Sequence, residues 1–202
     1  MIRTPFSVAA AAVAVLAAPI ALAQANDPAR ATVQTLCDGL SATMKADKAA
    51  GLRGREAVIG PVVDRTFDIP LMTRLSVGAG WTGIAPGDQQ ALVAAFRRVT
   101  VAQYAKNFDA YNGESFTVAP NVETRGGDRL VRTTLNQRSQ PAIPIAYRLR
   151  ESSGGWRIVD VFYKNSISQI ATRRSDFAQT LQTGGAKALI AKMDKLATET
   201  AG

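Results

Sequence analysis

The sequence predicts an α+β domain: a four-stranded antiparallel sheet with several helices packed on it. Three observations carry this reading. Apolar residues recur every three or four positions from residue 29 to about residue 111. From Ser115 to Tyr163 the period drops to two. Beyond Ser166 helical spacing returns, so helices and strands are segregated in the chain rather than alternating, as a parallel sheet would require.

The N-terminus reads as an export signal. Arg3 supplies a positive start, Val8 to Ile20 is almost all Ala, Val, Leu and Ile, and Ala21-Leu22-Ala23 has the A-x-A form of a cleavage site. Residues 1–23 are expected to be a cleaved signal peptide and residues 24–202 one domain. Ala29 to Ala50 is a helix, with Val33, Leu36, Cys37, Leu40 and Met44 on one face; Gly51 and Gly54 break it. Arg55 to Phe67 is a shorter helix carrying Val58, Val62 and Val63. Asp68 reads as an N-cap, with Pro70 in the first turn before Leu71, Met72 and Leu75. Gly78-Ala79-Gly80 ends that helix and leaves Trp81 in a loop.

Pro86 is suited to a first helical turn, where its missing N–H would be unpaired anyway, and the helix it opens runs to about Tyr111. Two apolar stripes overlap on it: Leu92, Phe96 and Val99, then Val101, Tyr104, Phe108 and Tyr111. So wide an arc fits a helix buried between two layers, or one lining a cavity on one side and a core on the other. The strands follow. Phe116, Val118 and Val122 alternate with polar residues, as do Val131, Thr133 and Leu135, then Ile143, Ile145, Tyr147 and Leu149. Trp156 to Tyr163 is apolar on both faces, so the fourth strand is the most buried. Short glycine turns at residues 126–127 and 154–155 make the sheet a meander. Two helices close the chain, one from a Ser166 cap to Gly184-Gly185 and one carrying Leu189, Ile190, Met193 and Leu196.

Composition narrows the chemistry. There are 24 Lys and Arg against 16 Asp and Glu, a net charge of +8, and no His. The missing His removes the commonest general base, a Ser-His-Asp site and His-bearing zinc sites. Cys37 is the single cysteine, so no internal disulfide forms, and its place in a helical apolar face makes it a small buried residue. No phosphate-binding loop or nucleophile elbow is present. A basic surface favours anionic partners; export sets nucleic acid aside and leaves anionic lipid surfaces or plain solvation.

Two residues stand out. Asp160 sits in the middle of the doubly apolar strand, where an unpaired carboxylate would have a raised pKa and suit a general base. Arg174 fills a place on the Ile167, Ile170, Phe177 face where the pattern calls for Leu. A buried Asp160–Arg174 ion pair that clasps helix to sheet is the favoured expectation over catalysis. Arg173, its neighbour, falls off that face.

Several strings go further in their order and spacing. Phe67-Asp68, Leu71-Met72, Gly80-Trp81, Phe96 and Tyr104-Ala105 are followed by Trp156-Arg157-Ile158-Val159-Asp160-Val161, Ser166-Ile167-Ser168, Arg174-Ser175-Asp176-Phe177 and Leu189-Ile190. Together, across Asp27 to Leu196, they resemble the MlaC (toluene-tolerance) family of periplasmic lipid-binding proteins that serve ABC transporters. The run Ile167 to Phe177 is most similar to its hopanoid-biosynthesis-associated branch. Where much of the family has Gly before the Ser of the strand-to-helix junction, this chain has Asn165, which tolerates positive φ.

The resemblance implies an NTF2-like cone and a soluble periplasmic carrier, not an enzyme and without a cofactor, that holds a phospholipid or hopanoid in an apolar pocket. It implies shuttling between an inner-membrane transporter or export complex and an outer-membrane lipoprotein complex, with Arg173 the cation expected to meet a headgroup or a membrane. Pocket walls are then expected from Phe67, Leu71, Leu75 and Trp81; from Phe96, Val99, Tyr104 and Phe108 of the long helix; from Val131, Ile145, Tyr147, Val161 and Tyr163 of the sheet; and from Ile167 and Ile170. Two other readings stay open: an NTF2-like isomerase or hydrolase using Asp160, and a ligand-free periplasmic adaptor.

Overall fold

The computed structural model describes residues 27–46, 49 and 51–201. The expected signal peptide lies outside the described residues. Helices α1 (Pro28–Met44), α2 (Gly51–Thr66), α3 (Ile69–Val77) and α4 (Pro86–Asn107) precede strands β1 (Ser115–Arg125), β2 (Asp128–Asn136), β3 (Ile143–Ser152), β4 (Gly155–Tyr163) and β5 (Ile167–Ser168). Helix α5 (Gln169–Ala201) follows. No described helix is long and apolar enough to cross a membrane.

Local chemistry sets most of the boundaries. Asp27 caps α1, its carboxylate accepting from the Ala29 N–H at 2.8 Å, with Pro28 at the first helical position. Asp68 caps α3 as expected, accepting from the Leu71 N–H at 3.0 Å. Its own N–H donates to the Ile158 carbonyl at 2.9 Å and ties the start of α3 to β4. Gly51 opens α2 and Gly54 lies inside it, so Gly54 is not the expected break. Helix α4 stops at Asn107 rather than near Tyr111. Phe108 leaves helical geometry (φ −118°, ψ 57°), and its ring packs between Tyr104 and Phe116, at centroid distances of 6.1 and 6.0 Å.

The sheet is an antiparallel meander in the order β1-β2-β3-β4-β5, with five strands and not the expected four. The fifth was read as the start of a helix because two residues are too few to show a period. A tight turn makes it: Lys164 and Asn165 both have positive φ, 52° and 59°, and the Ser166 N–H donates to the Tyr163 carbonyl at 3.3 Å. Positive φ at both central residues is the type I′ geometry that matches strand twist. The chain therefore folds back, Ile167 pairs with Tyr163, and Ser168 rather than Ser166 caps the next helix, its hydroxyl accepting from the Ala171 N–H at 3.0 Å. The expected division of the C-terminal helices survives as a break inside α5 at Gly185 (φ 63°, ψ −162°).

Helices α1, α2 and α4 share one buried cluster with the inner face of the sheet. Val33, Leu36, Cys37 and Leu40 of α1 meet Ile59 and Val63 of α2, Leu92, Phe96 and Val99 of α4, and Val131, Tyr147, Leu149 and Ile158 of the strands. Each fully buried aliphatic side chain contributes about 1.5–3 kcal/mol. Gly39 lets α1 and α2 approach: a Cβ there would lie 2.6 Å from a Val62 methyl. Burial pushes the Cys37 thiol up to about 12.

Candidate functional site

Strand register builds one wall of a cavity. Val131, Tyr147 and Val161 form one row across β2, β3 and β4; Thr133, Ile145 and Tyr163 form the next. Side chains alternate along a strand, so these residues share the inner face while Arg148, Asp160 and Phe162 take the other. Where the inner face runs out past the core, a cavity of about 560 Å³ opens between the sheet, α4 and the start of α5. Its sheet wall is Leu135, Ile143, Ile145, Tyr147, Val161 and Tyr163. Phe67 and Met72 close one end. Thr100, Gln103, Tyr104, Asn107 and Phe108 come from α4, and Gln169 and Arg173 from α5; Gln137 completes the lining.

Of the residues expected in the walls, Phe67, Tyr104, Phe108, Ile145, Tyr147, Val161 and Tyr163 line the cavity, and so does Arg173. Phe96, Val99, Val131 and Ile170 do not: they are buried in the core behind it, because the core needs its own apolar residues from the same helices and strands. Leu71 is half-buried, and Leu75 packs against the edge of the core. Trp81 lines a separate groove with Ile69, Pro86 and Val93. Ile167, on the short edge strand, is 49% exposed. The lining residues that apolar periodicity missed are mainly polar: Thr100, Gln103, Asn107, Gln137 and Gln169, beside Met72, Leu135 and Ile143. Their trace was the spacing on α4, where residues 100, 103, 104, 107 and 108 form one helical face in steps of three and one.

The Asp160–Arg174 pair does not form. Asp160 is buried, and its Oδ1 accepts from the Val161 N–H (2.8 Å) and the Ile170 N–H (3.1 Å). Its Oδ2 accepts from the Ser168 hydroxyl at 2.7 Å, and the Arg148 guanidinium lies 3.8 Å away. The carboxylate thus anchors the start of α5 from the face of β4 opposite the cavity. Arg174 is exposed and donates twice, at 2.9 and 2.7 Å, to the Leu75 carbonyl, one of the unpaired acceptors at the end of α3. Arg174 still lies on the Ile170 and Phe177 side of α5, but α3 ends beside it, so its long side chain runs along Gly78 to the rim of α3 instead of into the core.

Arg173 turns inward instead. Its Nη2 donates to Gln103 Oε1 at 2.6 Å and its guanidinium lies 4.9 Å from the centre of the Phe96 ring. Among the described residues no carboxylate comes within 4.0 Å of it. Burial holds its pKa below the usual arginine range, yet the group stays charged. Burial likewise raises the Tyr104 and Tyr147 phenols, which stay neutral. Tyr104 makes no hydrogen bond to the described protein, and the buried Thr100 hydroxyl has no partner. No metal-binding cluster of His, Cys, Asp or Glu occurs among the described residues. The site is an apolar chamber with polar groups on one wall, shaped for an amphiphile.

A phospholipid-binding protein from Ralstonia solanacearum, solved in complex with a phospholipid, superposes with a TM-score of 0.75 at 23% identity, over 86% of this chain and 99% of its own. That likeness shows a shared fold. No curated protein matches the sequence. The family model described as MlaC protein matches residues 34–195, which takes in every element from α1 to the second half of α5. The chain belongs to the MlaC protein family.

Proposed function

We propose that this protein is a soluble periplasmic carrier that holds the acyl part of a phospholipid in the cavity and passes it between an inner-membrane transporter and an outer-membrane acceptor. The observation that carries the reading is the cavity itself. About 560 Å³ is walled by aliphatic and aromatic side chains of sheet and helices and is left unfilled beside a well-packed core. Leaving each acyl CH₂ in water costs about 0.8 kcal/mol, so a lipid crossing an aqueous gap needs such a lining and no chemistry. Membership of the MlaC family and the phospholipid in the Ralstonia protein support the same class of ligand. A hopanoid remains the alternative lipid, on the likeness of the Ile167–Phe177 run to that branch. The reading of Asp160 as a general base gains nothing from the geometry, since its oxygens are committed to Val161, Ser168 and Ile170 behind the sheet.

Native mass spectrometry of protein released from the periplasm tests the proposal and names the lipid. Lipid should leave with the protein, and Val161→Trp, which fills the cavity from a half-buried position, should cut its amount several-fold without unfolding the chain. Protein that emerges empty, or a Val161→Trp variant as fully loaded as the parent, defeats the carrier reading.

A further inference from the structure

The cavity carries a cation that packing does not need. Arg173 is the lining residue that bears a charge, and its partners are a neutral amide and a ring face. A half-buried guanidinium loses water and regains it only through charged or strongly polar partners. Among the described residues no carboxylate pairs with it directly: Asp176, one turn along α5, is exposed and acts on it only at longer range. Beside Arg173 are two groups in a similar condition. Thr100, one turn from Gln103 on α4, keeps a buried hydroxyl with no partner, and the Tyr104 hydroxyl has none among the described residues. A cation and two unused hydroxyls on the helical wall of the chamber, facing the apolar side chains of the sheet, form a receptor for an oxyanion.

We infer that the cavity discriminates lipids by charge: the phosphate or carboxylate of the bound lipid docks inside the chamber on Arg173, with the Thr100 and Tyr104 hydroxyls beside it. This rests on the carrier reading and adds a rule of selection to it. Arg173 offers several N–H donors in a planar fork, of which Gln103 occupies one, so a tetrahedral phosphate or planar carboxylate can be gripped by the rest. A neutral lipid of the same chains would bury those groups unpaired.

The test loads the protein from mixed vesicles holding equal amounts of phosphatidylglycerol and diacylglycerol with identical acyl chains, and reads the captured ratio by mass spectrometry. The cost of leaving the bilayer is common to parent and variant and cancels between them. The ratio of anionic to neutral lipid should fall about tenfold or more in Arg173→Gln, the worth of a charge-assisted hydrogen bond. Arg173→Lys should keep most of the preference. Thr100→Val, of nearly the same shape, should lower the ratio by about two- to tenfold and decides the matter if Arg173→Gln does not fold. Excess inorganic phosphate should leave the ratio unchanged, because a free ion lacks the buried chain. A ratio that stays within about twofold of the parent in Arg173→Gln and Thr100→Val overturns the inference, as does loss of the preference to inorganic phosphate. Loading without a charge preference sinks the inference alone, and a parent protein that captures neither lipid sinks the carrier reading with it.

Discussion

Asp160 serves three donors with one carboxylate, two of them backbone N–H groups, and does so from a buried position. Truncating it leaves those donors and part of Arg148 without their acceptor. Asp160→Ala should lower the unfolding free energy by about 3 kcal/mol or more in urea titrations. Arg174 is exposed and satisfies a single helix-end carbonyl, so Arg174→Met should cost only about 1 kcal/mol. The two residues share no contact, and the double variant should lose the sum of the single losses to within about 0.5 kcal/mol. A coupling well above that would restore the ion pair that the sequence pattern invites. That both residues matter was readable from their chemistry, a carboxylate on an apolar strand and a cation on an apolar face. Their partners were not, because partnership depended on a two-residue strand between them.

At the scale of elements, the clearest signals were those with a local cause. Asp68 followed by Pro70 names a helix start whatever the rest of the chain does, and Asp68→Ala should cost about 1 kcal/mol of stability. The break in α5 is equally local. Gly185 sits at φ 63° and ψ −162°, a region almost reserved for glycine, and a Cβ there would meet nothing within 4 Å. Gly185→Ala should therefore destabilise through backbone strain alone, by about 1–3 kcal/mol, shown as a lower thermal midpoint with no change in fold by circular dichroism. Helix α4 shows the limit of such signals. Its wide apolar arc is compatible with burial between two layers or with a cavity on one side, and the residues that decide between them, Thr100, Gln103 and Asn107, are polar. Apolar periodicity discards polar residues as solvent-facing, which is the wrong side here.

The whole molecule couples its buried ionisable groups to one folding equilibrium. Burial raises Cys37 from its ordinary value of 9.0 to about 12, and raises Tyr104 and Tyr147 as well. Between about pH 9 and 12 the unfolded thiol has lost its proton and the folded one has kept it, so the unfolded state binds fewer protons. Stability is then full below pH 9 and falls as pH rises, by about 1.4 kcal/mol per pH unit for each such group. Cys37→Ala should make that alkaline decline shallower in chemical denaturation series run from pH 8 upward, whatever it does to stability at neutral pH. An unchanged slope would mean that the thiol is not shielded in the folded protein. By itself the sequence determined the class of the domain, the order of its main elements, the Asp68 cap, the break near Gly185 and the absence of His-based chemistry, since each follows from local spacing or composition. Only the tertiary structure decided which apolar residues fill the core and which line the cavity, where Arg173 and Arg174 point, and what Asp160 holds. Those outcomes depend on the register across β2, β3 and β4 and on the type I′ turn that reverses the chain over two residues between β4 and β5.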